Sequence, residues 1–301
     1  MPVHSWLASP RETRATLDQF GLSAKHHLGQ NFLVNDAIIG KILDLAELGD
    51  RDVVFEVGPG IGTLTVALLP HVGAVVSVEA DRSLQPVLVQ TCAQDSERFA
   101  LVMGDALRVR PDQLADAVAS LGIEGLDPEP TKLVSNLPYQ VAATVVLGAF
   151  ERMAHVERVV VMVQAEVADR MAATPGTKAY GAYTAKLALY ARPTGRFEVG
   201  PSNFMPAPHV DSAVIRLDRA PMADPATGLA LDEGQASWCA TVIDAAFAQR
   251  RKTIRNSMSS NGFERDELDH AFEVAGIDAR ARAERLAPAD FVRLAAALER
   301  R

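Results

Sequence analysis

The tetrapeptide Asn136-Leu137-Pro138-Tyr139 holds the residues best suited to do chemistry in this chain. The side-chain oxygen of Asn136 and the backbone carbonyl of Leu137 are two acceptors spaced to take both hydrogens of one exocyclic amine. On an aromatic base the lone pair of such an amine is delocalised into the ring. Holding both hydrogens draws the nitrogen toward tetrahedral geometry and frees that pair for attack. Pro138 has no N–H, so it stiffens the turn and leaves the acceptors facing the base. Tyr139 offers a flat face for stacking, worth about 1–3 kcal/mol per base. Asn136, Leu137, Pro138 and Tyr139 are therefore the candidate catalytic residues. The plain alternative is an Asn-x-Pro turn that merely closes a strand.

A second constellation lies upstream. The β-branched run Val53–Val57 leads directly into Gly58-Pro59-Gly60-Ile61-Gly62. Glycines there let backbone approach a ligand closely, and residues 63–69 read as a helix that presents free N–H groups. The fingerprint G-x-G-x-x-G would need glycine where Thr63 stands, which disfavours a pyrophosphate-binding oxidoreductase. Glu79 follows Gly58 by about 20 residues, the place where an acidic side chain accepts ribose hydroxyls. Asp105, in Gly104-Asp105-Ala106, ends the next strand, where a carboxylate can accept from an adenine amine. The pattern Glu56-x-Gly58-x-Gly60-x-Gly62 resembles the first motif of class I methyltransferases, whose cofactor carries no phosphate. That resemblance turns the amine chemistry into an in-line methyl transfer from a sulfonium. The leaving thioether is neutral, so neither a metal nor a strong base is needed, and no metal site is expected. Positioning then supplies most of the acceleration.

These residues must be set out by regular elements. Short, nearly continuous apolar runs at 53–57, 74–78, 99–103, 133–135 and 158–163 read as strands buried on both faces. Helical segments separate them, so a parallel sheet covered on both sides is the economical arrangement. Two more strands fall near 195–199 and 210–217. Ser9-Pro10-Arg11-Glu12 reads as a helix start, with Ser9 as cap, Pro10 in the first position and Glu12 closing a capping box. Ile38, Ile39, Ile42, Leu43, Leu45 and Ala46 form an apolar stripe of helical period. Between them, Lys25-His26-His27-Leu28-Gly29-Gln30-Asn31-Phe32-Leu33 is too polar and Gly-broken to be regular. Residues 219–235 read as a linker. Beyond it a helical tail offers Phe272, Val274, Ala275, Leu286, Phe291, Val292 and Leu294 for a small core. The expected fold is α/β, a Rossmann-like sheet that is mostly parallel with an antiparallel edge strand, plus a small all-α C-terminal domain. The domains run 1–218, then the linker 219–235, then 236–301.

Of the 301 residues, 48% are hydrophobic and 23% charged, ordinary for a soluble globular protein. No apolar run approaches the roughly 20 residues of a membrane span, and the N-terminus has no secretory pattern. Cys92 and Cys239 have no CxxC partner, so reduced thiols in the cytoplasm are expected. A net charge of −8 gives no global field for a phosphate backbone. Any nucleic-acid surface must be local. Residues 235–301 hold 11 Lys/Arg against 10 Asp/Glu, whereas residues 1–234 hold 19 against 28. Arg250, Arg251 and Lys252, with Arg255, read as a basic cluster on a helical segment. The bland reading is a solvated face balanced by Asp244 and Glu264.

As a set the motifs resemble the ribosomal RNA small-subunit adenine dimethyltransferase family of the kasugamycin-sensitivity type. The matching segments are Leu28-Gly-Gln-Asn-Phe-Leu33, Glu56-Val-Gly-Pro-Gly60, Asn136-Leu-Pro-Tyr139, Phe204-Met-Pro-Ala-Pro-His-Val-Asp-Ser212 and Gln249-Arg-Arg-Lys-Thr-Ile-Arg-Asn-Ser257. The resemblance implies S-adenosyl-L-methionine as cofactor, contacted by Asn31, Leu33, Gly58, Gly60, Glu79, Ala80, Asp105, Ala106 and Asn136. It implies that Tyr139 and Phe204 sandwich the target adenine and that Lys25, Arg250, Arg251 and Lys252 meet the RNA. The implied substrate is 16S rRNA within the pre-30S subunit. There the family dimethylates two adjacent adenosines in the loop of the last helix. One departure is Lys25-His26-His27 before the Gly-Gln-Asn motif, a basic stretch whose charge falls as pH rises through the histidine range. Large-subunit adenine methyltransferases of the macrolide-resistance type share Gly-Gln-Asn-Phe and Asn-x-Pro-Tyr, but 204–212 and 249–257 favour the small-subunit type. A non-catalytic assembly factor would need neither the 136–139 turn nor the Glu79/Asp105 pair. A small-molecule methyltransferase would leave the basic C-terminal cluster unexplained. Nothing in the sequence calls for an obligate dimer, and a monomer is expected.

Overall fold

The computed structural model describes residues 3–25 and 29–298, and the chain divides into two compact units. The first comprises 1–168 and 193–218, the second 169–192 and 219–301. In chain order the elements are α1 (Pro10–Gln19), β1 (Phe32–Leu33), α2 (Asp36–Ala46), β2 (Val53–Val57), α3 (Thr65–Leu68), β3 (Ala74–Glu79), α4 (Gln85–Thr91), β4 (Phe99–Met103), α5 (Pro111–Ala119), β5 (Lys132–Asn136) and α6 (Ala142–Arg152). There follow β6 (Arg158–Gln164), α7 (Ala165–Met171), α8 (Ala182–Leu187), β7 (Ala191–Val199), β8 (Phe204–Met205), β9 (Ser212–Arg219), α9 (Glu233–Phe247), α10 (Ile254–Ser259), α11 (Arg265–Ala275) and α12 (Pro288–Ala297).

In the first unit seven strands form a sheet in the order β4-β3-β2-β5-β6-β9-β7. The neighbours from β4 through β6 are parallel, and β9 runs antiparallel to β6. The antiparallel strand expected at the edge is β9, but β7 lies outside it. All residues of β2 and β3 are buried, as the unbroken apolar runs require. Each fully buried Val contributes about 1.5–3 kcal/mol of burial. The strand order reverses between β3 and β5, on either side of β2, so the loops at the carboxyl ends of these three strands diverge. That crevice is where such sheets bind ligands.

The helix starts follow from short polar side chains. Ser9 Oγ accepts from the Glu12 N–H (3.2 Å) at α1, and Asn35 Oδ1 accepts from the Ala37 N–H (3.0 Å) at α2. The helix expected over 63–69 is shorter. α3 spans only Thr65–Leu68, because Gly62, at φ +89, holds the chain in the turn until Leu64. A single turn carries little macrodipole, so the expected helix-terminus contribution to ligand binding falls away.

The second unit has its own core. Tyr180, Ala185 and Leu189 lie in it beside Phe272, Phe291 and Leu294. The Tyr180 hydroxyl donates to the Leu286 carbonyl (2.9 Å), and the Phe247 ring sits 6.0 Å from that of Tyr180 and 5.7 Å from Phe291. The expected first domain therefore differs in extent, since residues 169–192 leave it to bury their apolar side chains here. The expected linker also ends early. Asp232 and Gln235 form a capping box, so α9 begins at Glu233. Val274, expected in this core, is 63% exposed, because α11 buries Leu268, Ala271, Phe272 and Ala275 and leaves it on the outer face. No described helix is long and apolar enough to cross a membrane.

Candidate active site

The carboxyl ends of β2, β3, β4 and β5 open into one cleft, with Gly29–Leu33 forming a further wall. Backbone geometry explains the glycines. Gly58 and Gly60 have φ of +67° and +63°, a region that other residues enter only with strain. A Cβ on Gly58 would stand 3.2 Å from Pro138 Cγ, and one on Gly60 3.1 Å from Phe32 Cε1. The loop is thus pressed between the 136–139 turn and β1, and with positive φ at both positions a side chain there would be strained and tightly crowded.

Glu79 ends β3 nearly buried, and burial raises its carboxyl above the usual carboxylate range. Its Oε2 accepts from the Gly60 N–H (3.2 Å) and its Oε1 from the Asp81 N–H (2.8 Å). A carboxylate has about four acceptor positions, and the backbone N–H groups of Asp81, Gly60 and Ala80 do not take all of them. Asp105 lies exposed beyond β4, its Oδ1 accepting from the Leu107 N–H (2.9 Å) and its Oδ2 3.6 Å from Arg108 Nε.

At the end of β5, Asn136 Nδ2 donates to the Asn31 carbonyl (3.3 Å), while Asn31 Nδ2 donates to the Gly29 carbonyl (3.1 Å). The amide of Asn136 is thereby oriented with one of its two N–H groups engaged, and Oδ1 is left as its acceptor. The Leu137 N–H donates to the Met162 carbonyl (3.1 Å), which fixes the turn to β6. Tyr139 is held by its hydroxyl 2.8 Å from Ser212 Oγ at the start of β9, and burial raises the phenol above its ordinary range.

Every residue expected at the cofactor is in the wall of this cleft: Asn31, Leu33, Gly58, Gly60, Glu79, Ala80, Asp105, Ala106 and Asn136. So are Leu137, Pro138 and Tyr139. Phe204 is not. Its pairing with Leu33 across the β1–β8 ladder turns the ring into the core beside Ile38 and Ile39, where it is 5% exposed. Lys25 is not in the wall either. Its ammonium donates to Asp81 Oδ1 (2.7 Å) and to Ser83 Oγ (2.9 Å), so the charge expected for RNA is held by a carboxylate. His26, His27 and Leu28, the rest of that basic stretch and the start of its motif, lie outside the described residues.

In the second unit Arg250, Arg251 and Lys252 are exposed and form a turn, not a helix. Thr253 caps α10, which starts only at Ile254. Arg250 Nη2 donates to the carbonyls of Lys178 (2.9 Å) and Tyr180 (3.3 Å). Arg255, expected on the same basic track, is paired with Asp269. Asp244, expected to balance the cluster, pairs with Lys186 instead (2.8 Å).

Four participants escaped the sequence reading. Glu56, 1% exposed, accepts on Oε2 from Thr65 (2.7 Å) and Ser77 (2.8 Å), and burial pushes its carboxyl up to about 7. Thr63 lines the cleft with a buried Oγ1 that has no hydrogen-bond partner among the described residues. Asp81 gathers Lys25, Gln30 and Ser83, and Ser212 steadies Tyr139. Glu56 stood in the glycine motif without a role. Thr63 stood just beyond it, and Asp81 and Ser212 are tied to the site by pairings between distant segments, which no local spacing announces.

Residues 21–300 match the sequence profile of the family described as ribosomal RNA adenine dimethylase. A protein of Thermobifida fusca (strain YX) named ribosomal RNA small subunit methyltransferase A is 42% identical over 293 residues, covering 96% of this chain and 95% of its own. A Rhodococcus opacus (strain B4) protein of the same name is 40% identical over 294 residues, 96% of this chain and 94% of its own. Among solved structures, a dimethyladenosine transferase from Plasmodium falciparum has a TM-score of 0.69 at 22% identity, over 87% of this chain and 95% of that one. The 23S rRNA methyltransferase ErmE has a TM-score of 0.63 at 24% identity, over 89% and 99%. At those identities the two structures bear on the fold alone.

Proposed function

Because the chain belongs to the ribosomal RNA adenine dimethylase family, we propose that its cleft places successive methyl groups on N6 of two adjacent adenosines in the 3'-terminal helix loop of 16S rRNA. The protein is an S-adenosylmethionine-dependent rRNA adenine N6-dimethyltransferase. The finer reading is that a single copy of the chain acts in the cytoplasm, on RNA already in the assembling pre-30S subunit.

The residues fit this cofactor. The loop beside Pro138 and Phe32 would crowd a side chain at Gly58 or Gly60, Glu79 keeps free acceptor positions for vicinal hydroxyls, and Thr63 holds an unpartnered hydroxyl in the same wall. Asn31, Leu33, Ala80, Asp105 and Ala106 would complete its enclosure. When bound, S-adenosylmethionine supplies an electrophilic methyl on a sulfonium whose departure leaves a neutral thioether.

The observation that carries the reading is the orientation of Asn136. With Nδ2 donated to Asn31, Oδ1 is left to accept one N6–H. The Leu137 carbonyl, next in the same wall, accepts the other. The amine is held with its lone pair out of conjugation, and Tyr139, fixed by Ser212, supports the base by stacking. Restraint of the nucleophile is worth several kcal/mol of barrier, about the scale of well-oriented intramolecular reactions. The proton leaves afterwards to solvent, so no side chain need act as a strong base. The small-subunit assignment rests on relatives at 35–42% identity that share one name.

The test is to treat small subunits lacking the modification with labelled cofactor and map the products by mass spectrometry. N6,N6-dimethyladenosine at two adjacent positions in the 3'-terminal loop is expected. Label in 23S rRNA, or none in either, would overturn the reading.

A further inference from the structure

Asp81 lies two residues past the end of the ribose-binding strand and touches neither amine acceptor, yet it is joined to both halves of the site. Its side chain is 6% exposed. Oδ1 accepts from Lys25 Nζ (2.7 Å), from the Ser83 N–H (3.0 Å) and from Ser83 Oγ (2.7 Å). Oδ2 accepts from Gln30 Nε2 (3.0 Å), and Gln30 Oε1 in turn accepts from the Lys25 N–H (2.9 Å). Both functional groups of Gln30 are consumed, so the backbone at 30–31 is fixed relative to the sheet. The next carbonyl along, that of Asn31, is the one that accepts from Asn136 Nδ2 (3.3 Å) and so aims Oδ1 at the amine. In the other direction, the Asp81 N–H holds Glu79 Oε1 (2.8 Å).

We infer that Asp81 is a positioning residue for the reaction, setting the angle of Asn136 through Gln30 and Asn31 while it steadies Glu79 for the cofactor. Lys25 belongs to this assembly. The amide of Asn136 has no other described partner for its nitrogen, so a shift of the Asn31 carbonyl lets the amide rotate. The transition state, which needs both N6 hydrogens held at once, suffers more from that rotation than cofactor binding does. The inference rests on the function proposed above for this cleft.

The test separates the two. Binding of S-adenosylhomocysteine, a non-reacting probe, is measured by calorimetry, and kcat is measured at saturating cofactor and RNA. Asp81→Asn places an amide N–H opposite Gln30 Nε2, donor against donor. It is expected to lower kcat roughly 10–100-fold and to weaken the probe less than about tenfold, as a factor confined to orientation should. Adding Gln30→Glu exchanges donor and acceptor across the same pair and returns a carboxylate to Lys25. The double variant is expected to regain most of kcat. A residue that merely holds the fold would lower the melting temperature and leave kcat of the folded fraction intact. If Asp81→Asn does not fold, Gln30→Leu breaks the same chain of bonds and is expected to show the same loss of kcat. Wild-type kcat in a folded Asp81→Asn or Gln30→Leu, or no recovery in the double variant, overturns the inference. Failure of the unmodified protein to bind the probe instead overturns the reading of the cleft.

Discussion

Asn136 and Thr63 both put a polar atom into the wall of one cleft, and their states in the ligand-free protein are opposite. The nitrogen of Asn136 donates to Asn31, whereas the hydroxyl of Thr63 is buried with no partner among the described residues. Asn136→Ala removes an acceptor whose use peaks in the transition state. Turnover should fall about 10²–10³-fold, the scale seen when one preorganised polar contact to a reacting group is lost. Binding of S-adenosylhomocysteine should change far less. Parallel losses in calorimetry and kinetics would instead make Asn136 chiefly a cofactor ligand. Thr63→Val keeps the shape and deletes an unmatched donor. Leaving such a group buried costs about 1–3 kcal/mol, so the variant should be more stable than the parent by roughly 1 kcal/mol in a denaturant titration. A lower midpoint would mean that the hydroxyl has a partner in solution. Ser212 acts one step removed, through Tyr139. Freed from it, the ring restrains a monomethylated base less well for its second turn. Ser212→Ala should therefore raise the monomethyl fraction at early times, read from nucleoside analysis. An unchanged ratio would assign Ser212 to packing alone.

At the scale of elements, the strands were the most legible part of the chain. Five apolar, β-branched runs became five parallel strands within a residue or two, because a strand covered on both faces takes mostly apolar side chains and admits a polar one, such as Glu56 or Ser77, only where it is hydrogen-bonded. The glycine loop was legible for a similar reason, since positive φ and contact with Pro138 and Phe32 disfavour anything larger. Helix ends were less so. α3 is short because two residues of turn follow Gly62, and the Arg-rich stretch is a turn because Thr253 caps the helix after it. Phe204, set at the adenine by the resemblance, lies in the core because its strand pairs with β1, a contact between distant segments that local sequence does not reveal. The turn also changes the experiment that probes it. Arg250 is tied to two carbonyls, so its removal confounds docking with stability. Arg251→Ala with Lys252→Ala is cleaner. It should weaken RNA binding alike across sequences and flatten the plot of log affinity against log salt by about 0.7–0.9 per lost phosphate contact. Turnover at saturating RNA should survive. Unchanged affinity and slope would place the RNA surface elsewhere.

For the molecule as a whole, two buried carboxylates and a half-buried one give the first unit opposing responses to pH. Burial pushes the carboxyls of Asp81 and Asp218 up. Hydrogen bonds from Lys25, Ser83 and Gln30 to the one, and from Arg216, Arg158 and Thr194 to the other, outweigh it and hold both at about 2. Their folded values lie below the roughly 3.9 of an unfolded Asp. The stability they contribute is present above pH 4 and is lost as pH falls through 4 toward 2. Glu56 has the reverse sign. Burial, only partly offset by Thr65 and Ser77, holds it at about 7, above the roughly 4.3 of an unfolded Glu. The folded state then binds the extra proton, and stability declines as pH rises from about 4.3 to 7. Glu56→Gln keeps an acceptor for both hydroxyls and cannot ionise. Its melting temperature, relative to the parent, should climb between pH 5 and pH 7 and hold steady above that. A constant difference across this range would mean that Glu56 is ionised in the folded protein throughout. The pH dependence of stability thus follows from particular carboxylates and is not read from the net charge of −8.

Residues 169–192 belong to one unit and are flanked on both sides by chain of the other, and that arrangement sets an order of events during synthesis. They leave the ribosome before any of 219–298, the residues that cover Tyr180, Ala185 and Leu189. For that interval the excursion is a nascent apolar loop hanging from a sheet that itself waits for β9, whose last first-unit residue is 218. The two halves mature nearly together, at the end of translation, and neither can be excised by a single cut. A chain stopped at 218 would finish its sheet but leave the loop's aromatic and aliphatic side chains facing water, an invitation to chaperones and to aggregation.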